Sequence, residues 1–350
     1  MRWLVTGANG FIGSAVVARL RARGDRVRAL VLPGTGSAEL EALGAEPVPG
    51  DVTQPRSLGG SVEGCDAVVH LAGLVKALRV GDFYRVNAAG TANLAAACAA
   101  ARPRPVLVFV SSLSAAGPSR PERARREEDP PAPVSHYGRS KLEGEGALRA
   151  LSDRLEATVV RPPITYGPRD RETLPPLFRM ARLGLALKCG LGARVYSLVH
   201  VDDLADGILA AAVRGRRLEP RGDQGLYYLS DGGVHGWAEV CRAAAEALGS
   251  RVAVLTVPGA ASLAVALGCA LAAEVTRRPA FLAFDKMREI RCRAWTCAID
   301  RARRELQYAP RLPLPEGLRR SAAWFRARDS LEAWTRLPEV PWKDGSQKAV

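Results

Sequence analysis

Gly7, Gly10 and Gly13 are spaced G-x-x-G-x-x-G between a short apolar strand and an amphipathic helix, and no other feature constrains the chain as much. The run Leu4-Val5-Thr6-Gly7-Ala8-Asn9-Gly10-Phe11-Ile12-Gly13 reads as a dinucleotide cradle. Gly7 permits a tight strand-to-helix turn, Gly10 lets backbone approach a pyrophosphate, and Gly13 lets the helix pack on the sheet. The helix N-terminus then faces the phosphates. A glycine loop alone is a weak signal; this one gains weight from its place at the first strand and from a second group of polar residues about 100 to 140 positions further along the chain.

Strand and helix signals alternate through the first half. Strands are predicted at Arg2–Thr6, Val27–Val31, near Val48, at Ala67–Leu71, Val106–Val110 and Thr158–Arg161. Helices are predicted at Ile12–Arg23, Asp82–Ala101 and Tyr137–Leu151, with a Pro/Arg/Glu-rich loop over Pro118–Pro133. This βαβ alternation implies an α/β fold: a Rossmann-type doubly wound parallel sheet with a smaller C-terminal substrate-binding lobe. The expected division is a dinucleotide-binding domain over residues 1–165, with 198–214 returning to it through the helix Asp202–Val213. Residues 166–350 are expected to form mostly the substrate-binding lobe and a tail.

The 350 residues, 47% hydrophobic, suffice for one such domain and its lobe. No signal peptide is read before the first strand, and no apolar run approaches the roughly 20 residues that span a bilayer. The seven cysteines are scattered and form no C-x-x-C pair, which fits a reduced cytoplasm with buried thiols rather than zinc or disulfides. The net charge of +14 is almost all arginine spread along the chain. Its densest patch, Arg120–Arg126, runs into Glu127-Glu128-Asp129 and is neutralised locally, which argues against a nucleic-acid partner. No metal site is expected, and the partners expected are a small-molecule substrate and a second copy in a homodimer.

A second constellation comes after the Val106–Val110 strand: Ser111-Ser112, then Tyr137-Gly138-Arg139-Ser140-Lys141 at a helix start. Residues i and i+4 share a helix face, so the Lys141 ammonium is expected beside the Tyr137 phenol. A tyrosine acting as a base near neutrality must lose about 3 units of pKa, roughly 4 kcal/mol of differential stabilisation. A unit charge about 4 Å away in an effective dielectric near 20 supplies a term of that order. An incidental surface pair is the alternative, but seven tyrosines and six lysines in 350 residues produce only about 0.12 such pairs by chance.

Taken together, these residues resemble the extended short-chain dehydrogenases/reductases, which include nucleotide-sugar epimerases and dehydratases and 3β-hydroxysteroid dehydrogenase-like enzymes. The resemblance runs over nearly the whole chain. The first loop is similar to T-G-x-x-G-F-I-G, Gly50-Asp51-Val52 to the G-D-[LV] that holds adenine, and His70-Leu71-Ala72-Gly73 to the H-L-A-[AG] strand end beneath the nicotinamide ribose. Val86-Asn87-Ala88-Ala89-Gly90-Thr91 is similar to V-N-x-x-G-T, and Arg161-Pro162 with Tyr166-Gly167-Pro168 to R-P-x-x-x-Y-G-P. His200-Val201-Asp202-Asp203-Leu204-Ala205 and the late Trp295…Arg303-Arg304-Glu305-Leu306…Pro310 complete the likeness. The resemblance implies a catalytic set of Ser112, Tyr137 and Lys141. It implies a cofactor site made by Gly7, Asn9, Gly10, Phe11, Ile12, Gly13, Asp51, Val52, Leu71, Ala72, Gly73, Asn87, Tyr137, Lys141 and Pro162. Tyr137 would be the acid/base, Ser112 would position the reacting oxygen, and Lys141 would depress the tyrosine pKa and steady the ribose.

Departures from the family pattern bear on substrate. Nucleotide-sugar members usually place Asn three residues after the Arg of the R-P turn and Arg four residues before the H-V-x-D histidine; here those positions are Ile164 and Tyr196. Losing both contacts to a diphosphate, each about 1.5–3 kcal/mol, points away from a sugar nucleotide. The wording Arg161-Pro-Pro-Ile-Thr-Tyr-Gly-Pro-Arg-Asp170 resembles the steroid dehydrogenase-like branch instead. Ala260–Ala273, apolar but for Ser262, is read as a core helix or as a cover over a sterol-, isoprenoid- or β-hydroxyacyl-like substrate. A peripheral membrane contact assisted by Arg277-Arg278 is a further option.

The cofactor reads as NAD or NADP. After the second strand comes Val31-Leu32-Pro33-Gly34, with neither the acid of NAD enzymes nor the base of NADP enzymes, leaving Arg28, Thr35 or Ser37 to reach the adenosine ribose. Two other functions stay open: a nucleotide-sugar epimerase or dehydratase using the same triad, and a dinucleotide-sensing regulatory protein. The latter would typically have lost the tyrosine or the lysine, and this chain keeps both.

Overall fold

The computed structural model describes residues 1–190, 192–257 and 284–328. Ala260–Ala273 and Arg277-Arg278 therefore lie outside the described residues. The first strand, β1 (Arg2–Thr6), enters the glycine turn, and the helix Phe11–Ala22 leaves it. Next in the chain come β2 (Arg26–Val31), β3 (Glu46–Pro49), β4 (Ala67–His70), β5 (Val106–Val110) and β6 (Ala157–Arg161). All pair in parallel, in the order Leu226–Tyr228, β6, β5, β4, β1, β2, β3. The order reverses at β1 and β4, where Thr6 and His70 are register partners, so a crevice opens above their carboxyl ends.

The strands are apolar on both faces because both are covered. On one face Val16, Val17 and Leu20 of the first helix pack with Leu204, Ala205 and Ile208 of the helix Val201–Arg214. On the other face Leu94 and Cys98 of the helix Gly90–Ala100 pack with Leu148 of the helix His136–Arg149. The predicted Asp82–Ala101 helix is observed as Val80–Phe83, a wider π-helical turn over Tyr84–Ala89, and Gly90–Ala100.

The alternation in the sequence did not reveal a seventh strand, Leu226–Tyr228, which extends the sheet beside β6. Nor did it reveal that Trp295, Ile299, Leu306 and Tyr308 join the core of the sheet's first face. A separate core gathers the helices Leu174–Arg182, Trp237–Ala247 and Leu314–Ala327 around Phe178, Ala244, Leu318 and Phe325. Two small sheets join it to the main body. Ile164–Tyr166 pairs in parallel with Leu198–His200, and Val195–Tyr196 lies between His235–Gly236 and Ala294–Trp295. Cys65, Cys98, Cys241 and Cys297 are buried free thiols. No helix among the described residues is long and apolar enough to cross a membrane.

Candidate active site

Gly7 has φ +66°, and a Cβ there would stand 2.8 Å from the Ala72 nitrogen and 2.9 Å from the Leu71 carbonyl carbon, so only glycine lets the first turn close on the end of β4. A Cβ on Gly13 would fall 2.1 Å from the Gly7 carbonyl oxygen, which shows how tightly the helix packs on the turn. Gly10 differs: it is exposed, and its Cβ would meet only the Gly7 oxygen at 3.1 Å. Gly10 caps the helix with no side-chain hydrogen bond and no acid follows in the first turn, so backbone N–H groups there face an open, electropositive cradle. These residues fit the pyrophosphate of a dinucleotide. Asn9, Phe11 and Ile12 are half-buried around the same turn.

Thr6 ties the cradle to β4. Its hydroxyl lies 2.7 Å from His70 Nδ1 and accepts from the Leu71 and Ala72 N–H groups at 3.2 and 3.1 Å. Thr91 lies 3.0 Å from His70 Nε2 and already donates to the Asn87 carbonyl, so Nε2 carries the proton and Nδ1 accepts from Thr6. Burial drives the His70 pKa down to about 3, and the ring is neutral at pH 7. Asn87, in the π-helical turn, spends its amide on Leu74 N and O, at 2.7 and 2.9 Å, and on Ser140 Oγ at 3.0 Å. It therefore shapes the loop after β4. Gly73 lies at that loop, where a Cβ would come 3.3 Å from Lys141 Nζ.

Asp51, at the end of β3, accepts from Thr53 N at 2.8 Å, whereas Val52 is 5% exposed and packs under the Gly90 turn with its carbonyl bound by Asn93. Pro162 is buried and its carbonyl accepts from Leu113 N at 2.9 Å, which joins the end of β6 to Ser112.

The three catalytic candidates converge at the carboxyl edge of β5. Ser112 caps the short helix Leu113–Ala116, accepting from Ser114 N at 3.1 Å, and its hydroxyl is near enough to the Tyr137 phenol to favour the phenolate. Tyr137 stands in the first turn of the helix His136–Arg149, with the Phe83 ring 6.2 Å away. Lys141, 5% exposed, donates from Nζ to the Val110 carbonyl at 2.9 Å and lies over the Phe109 ring.

The expected depression of the tyrosine pKa by Lys141 is not what the structure shows. Burial pushes the phenol up to about 12; the Ser112 hydroxyl works against this and Glu289 adds to it. The reason is that Lys141 is turned to the Val110 carbonyl and is itself driven by burial down to about 8, so its charge is both diverted and weakened. At pH 7 the Tyr137 phenol therefore carries its proton.

Sequence reasoning missed the groups that hold this machinery. Glu145, 2% exposed, binds Arg161 through two hydrogen bonds of 2.9 and 2.6 Å and accepts from Ser111 at 2.5 Å, and it props up the Lys141 charge from one turn away. The i+4 spacing of Lys141 and Glu145 was a visible signal for it. Ile164 and Tyr196 flank the junction with the second core. Ile164 is half-buried against it, and Tyr196 meets Trp237 edge-on at 6.0 Å.

Comparison with known proteins settles the family. A family model described as the NAD dependent epimerase/dehydratase family matches residues 3–223. The chain belongs to that family. It is 33% identical over 325 residues to a ceramide reductase of Caulobacter vibrioides, covering 92% of this chain and 94% of that one. It is 32% identical over 323 residues to a 4-hydroxy-2-methyl-3-oxo-4-farnesyl-3,4-dihydroquinoline-1-oxide ketoreductase of Stigmatella aurantiaca, covering 91% and 95%. The UDP-glucose 4-epimerase of Thermus thermophilus in complex with NAD superposes with a TM-score of 0.72 at 25% identity, over 93% of this chain and 99% of that one. The chain is thus an NAD-dependent enzyme of the extended short-chain dehydrogenase/reductase type.

Proposed function

We propose that the enzyme interconverts a ketone and a secondary alcohol on a hydrophobic, sterol-, isoprenoid- or β-hydroxyacyl-like substrate. The observation that carries the chemistry is the convergence of Ser112, Tyr137 and buried Lys141 at the carboxyl edge of β5, with burial keeping the phenol protonated at neutral pH. A bound nicotinamide dinucleotide supplies or takes the hydride. Tyr137 Oη gives a proton to the substrate oxygen as that oxygen gains charge, and Ser112 Oγ donates a hydrogen bond to the same atom. Lys141 Nζ, fixed on the Val110 carbonyl close to Gly73, would hold the ribose of the bound dinucleotide. A phenol held protonated suits the reductive direction.

The substrate class is supported by Ile164 and Tyr196, which put an apolar and an aromatic side chain where a diphosphate would need an amide and a guanidinium, and by the two reductase relatives. NAD over NADP is supported by the groups in and just after β2. Arg28 donates to the Glu63 carbonyl at 2.9 Å, Thr35 to the Leu32 carbonyl at 2.6 Å and Ser37 to Glu41 at 2.6 Å, so none is reserved for a 2′-phosphate.

The second reading, a nucleotide-sugar epimerase, draws on the likeness to the Thermus enzyme. Nicotinamide reduction screened against hydroxysteroids, long-chain β-hydroxy acids and sugar nucleotides, together with calorimetry of UDP, separates the two. The proposal expects turnover of an apolar alcohol and UDP binding weaker than about 1 mM. Restoring both polar side chains, Ile164→Asn with Tyr196→Arg, should strengthen UDP binding. Wild-type UDP affinity in the low micromolar range, about −8 kcal/mol, overturns the hydrophobic reading.

A further inference from the structure

The helix Phe284–Arg291 meets the catalytic helix through its acidic side chains. Asp285 lies across the N-terminal turn of His136–Arg149, accepting from His136 N at 2.7 Å and from Tyr137 N at 3.1 Å, one carboxylate oxygen to each. One turn further on, Glu289 is 5% exposed and accepts from Ser135 Oγ at 2.7 Å. Ser135 in turn caps the helix, accepting from Gly138 N at 3.0 Å. The N–H groups of 136, 137 and 138, which an α-helix leaves without internal partners, are thus all engaged, directly or through Ser135, by two carboxylates about 150 positions away in sequence.

The clamp is itself anchored. Lys286 pairs with Glu289 at 2.7 Å, Trp295 Nε1 donates to the Glu289 carbonyl at 3.0 Å, and Arg194 donates to the Ile290 carbonyl and, at 2.9 Å, to the Cys292 carbonyl. Arg194 immediately precedes the strand Val195–Tyr196, which carries a candidate substrate residue. The helix Phe284–Arg291 therefore bridges the substrate side of the cleft and the turn that bears the phenol.

We propose that Asp285 and Glu289 are positioning residues for Tyr137, fixing the turn that aims its phenol and setting negative charge beside it. The proposal rests on the reading of Tyr137 as the proton-transferring group. Two features go beyond what a helix end needs. Ser135 alone would cap the helix, yet a carboxylate also accepts from the N–H of Tyr137 itself; and Glu289, 5% exposed, adds to the rise of the phenol pKa. The other charged or titratable groups around the turn are His136, Arg139, Lys141 and Glu143 on the same helix, Tyr84 at 3.0 Å from His136, and Lys286.

The test combines hydrogen exchange, with NADH bound, and kinetics, with NAD⁺ as the oxidant, on Asp285→Ala, Asp285→Asn, Glu289→Gln and Tyr137→Phe, each as the full chain. In Asp285→Ala, amides 136–138 should exchange about tenfold faster while β1 to β5 keep their protection, and Asp285→Asn, which retains one acceptor, should recover part of that. With the secondary alcohol of the panel that reduces nicotinamide fastest, Asp285→Ala should lower kcat about tenfold and leave the KM for dinucleotide within twofold. Glu289→Gln should move the half-maximal pH for alcohol oxidation down by about one unit, because a negative charge beside the phenol is removed. Unchanged exchange at 136–138 in both Asp285 variants overturns the proposal, as does uniform loss of protection across the protein or an unmoved pH profile in Glu289→Gln. If Asp285→Ala does not fold, Asp285→Asn and Glu289→Gln decide by the same readouts. A fully active Tyr137→Phe would instead bring down the reading of the tyrosine, a separate result.

Discussion

The dinucleotide cradle and the rim around Tyr137 are both tight, hydrogen-bonded constructions, but they are assembled from opposite kinds of sequence. The cradle is made by residues 4–13 closing on 70–73, with backbone and glycine geometry as its working parts. The rim draws on Phe83, Ser112, Ser135–Lys141 and Asp285–Glu289, and its working parts are side chains brought together from across the chain. A site built of backbone can tolerate no added atom at its closest approaches. A site built of side chains can lose one and keep its fold, at a cost that depends on how deeply the lost partner was buried.

That difference predicts a ranking. The largest loss of stability should come from the buried network under the catalytic helix. Glu145→Gln would leave Arg161 as an uncompensated charge at 3% exposure and should cost about 3–5 kcal/mol, read from denaturant unfolding. It should also weaken the Lys141 charge, since Glu145 is what holds that pKa up against burial.

Next is a contrast within the cradle. Gly13→Val puts a side chain where the Cβ alone is 2.1 Å from the Gly7 oxygen, and should destabilise by about 3 kcal/mol as well as abolish NADH binding. Gly10→Val, with only a 3.1 Å contact on the exposed side, should abolish NADH binding while the fold keeps its stability to within about 0.5 kcal/mol. Equal destabilisation by the two variants would erase the distinction between the packing glycine and the ligand-facing one.

The smallest effect lies in the strand that pairs with Tyr196. His235 sits between Asp231 at 2.7 Å and Glu239 at 3.0 Å, and these carboxylates raise its pKa from 6.5 to about 9. A raised folded-state value means the stabilisation is complete below about 6.5 and fades as pH rises through 9. Thermal unfolding of the wild type should therefore shift down over that window, whereas His235→Gln should start lower at pH 6 and show a flatter profile.

The same contrast explains how much of this was legible in the sequence. The strand Arg2–Thr6 and the β5 strand Val106–Val110 match their predicted bounds, because each is a run of apolar residues with a turn signal at its end. The i, i+4 spacing of Tyr137 and Lys141 on one helix was readable because helical spacing is a local property, whereas Ser112 was pointed to by the family resemblance. The direction of the Tyr137 pKa was not. It depends first on how deeply the phenol is buried, then on where Nζ of Lys141 finds an acceptor and on a glutamate 152 positions beyond Tyr137, and none of these is a matter of spacing. Leu226–Tyr228 escaped notice for a similar reason: three apolar residues among Gly and Asp become a strand only because β6 presents an edge to them.

The central claim is that Tyr137 moves the proton while the cradle holds the dinucleotide independently of it. The most direct test is Tyr137→Phe, assayed for turnover of the fastest panel substrate and for NADH affinity by calorimetry. The account predicts a loss of turnover of about 10² to 10⁴ with NADH affinity nearly unchanged. A variant that keeps more than about a tenth of wild-type turnover would contradict it.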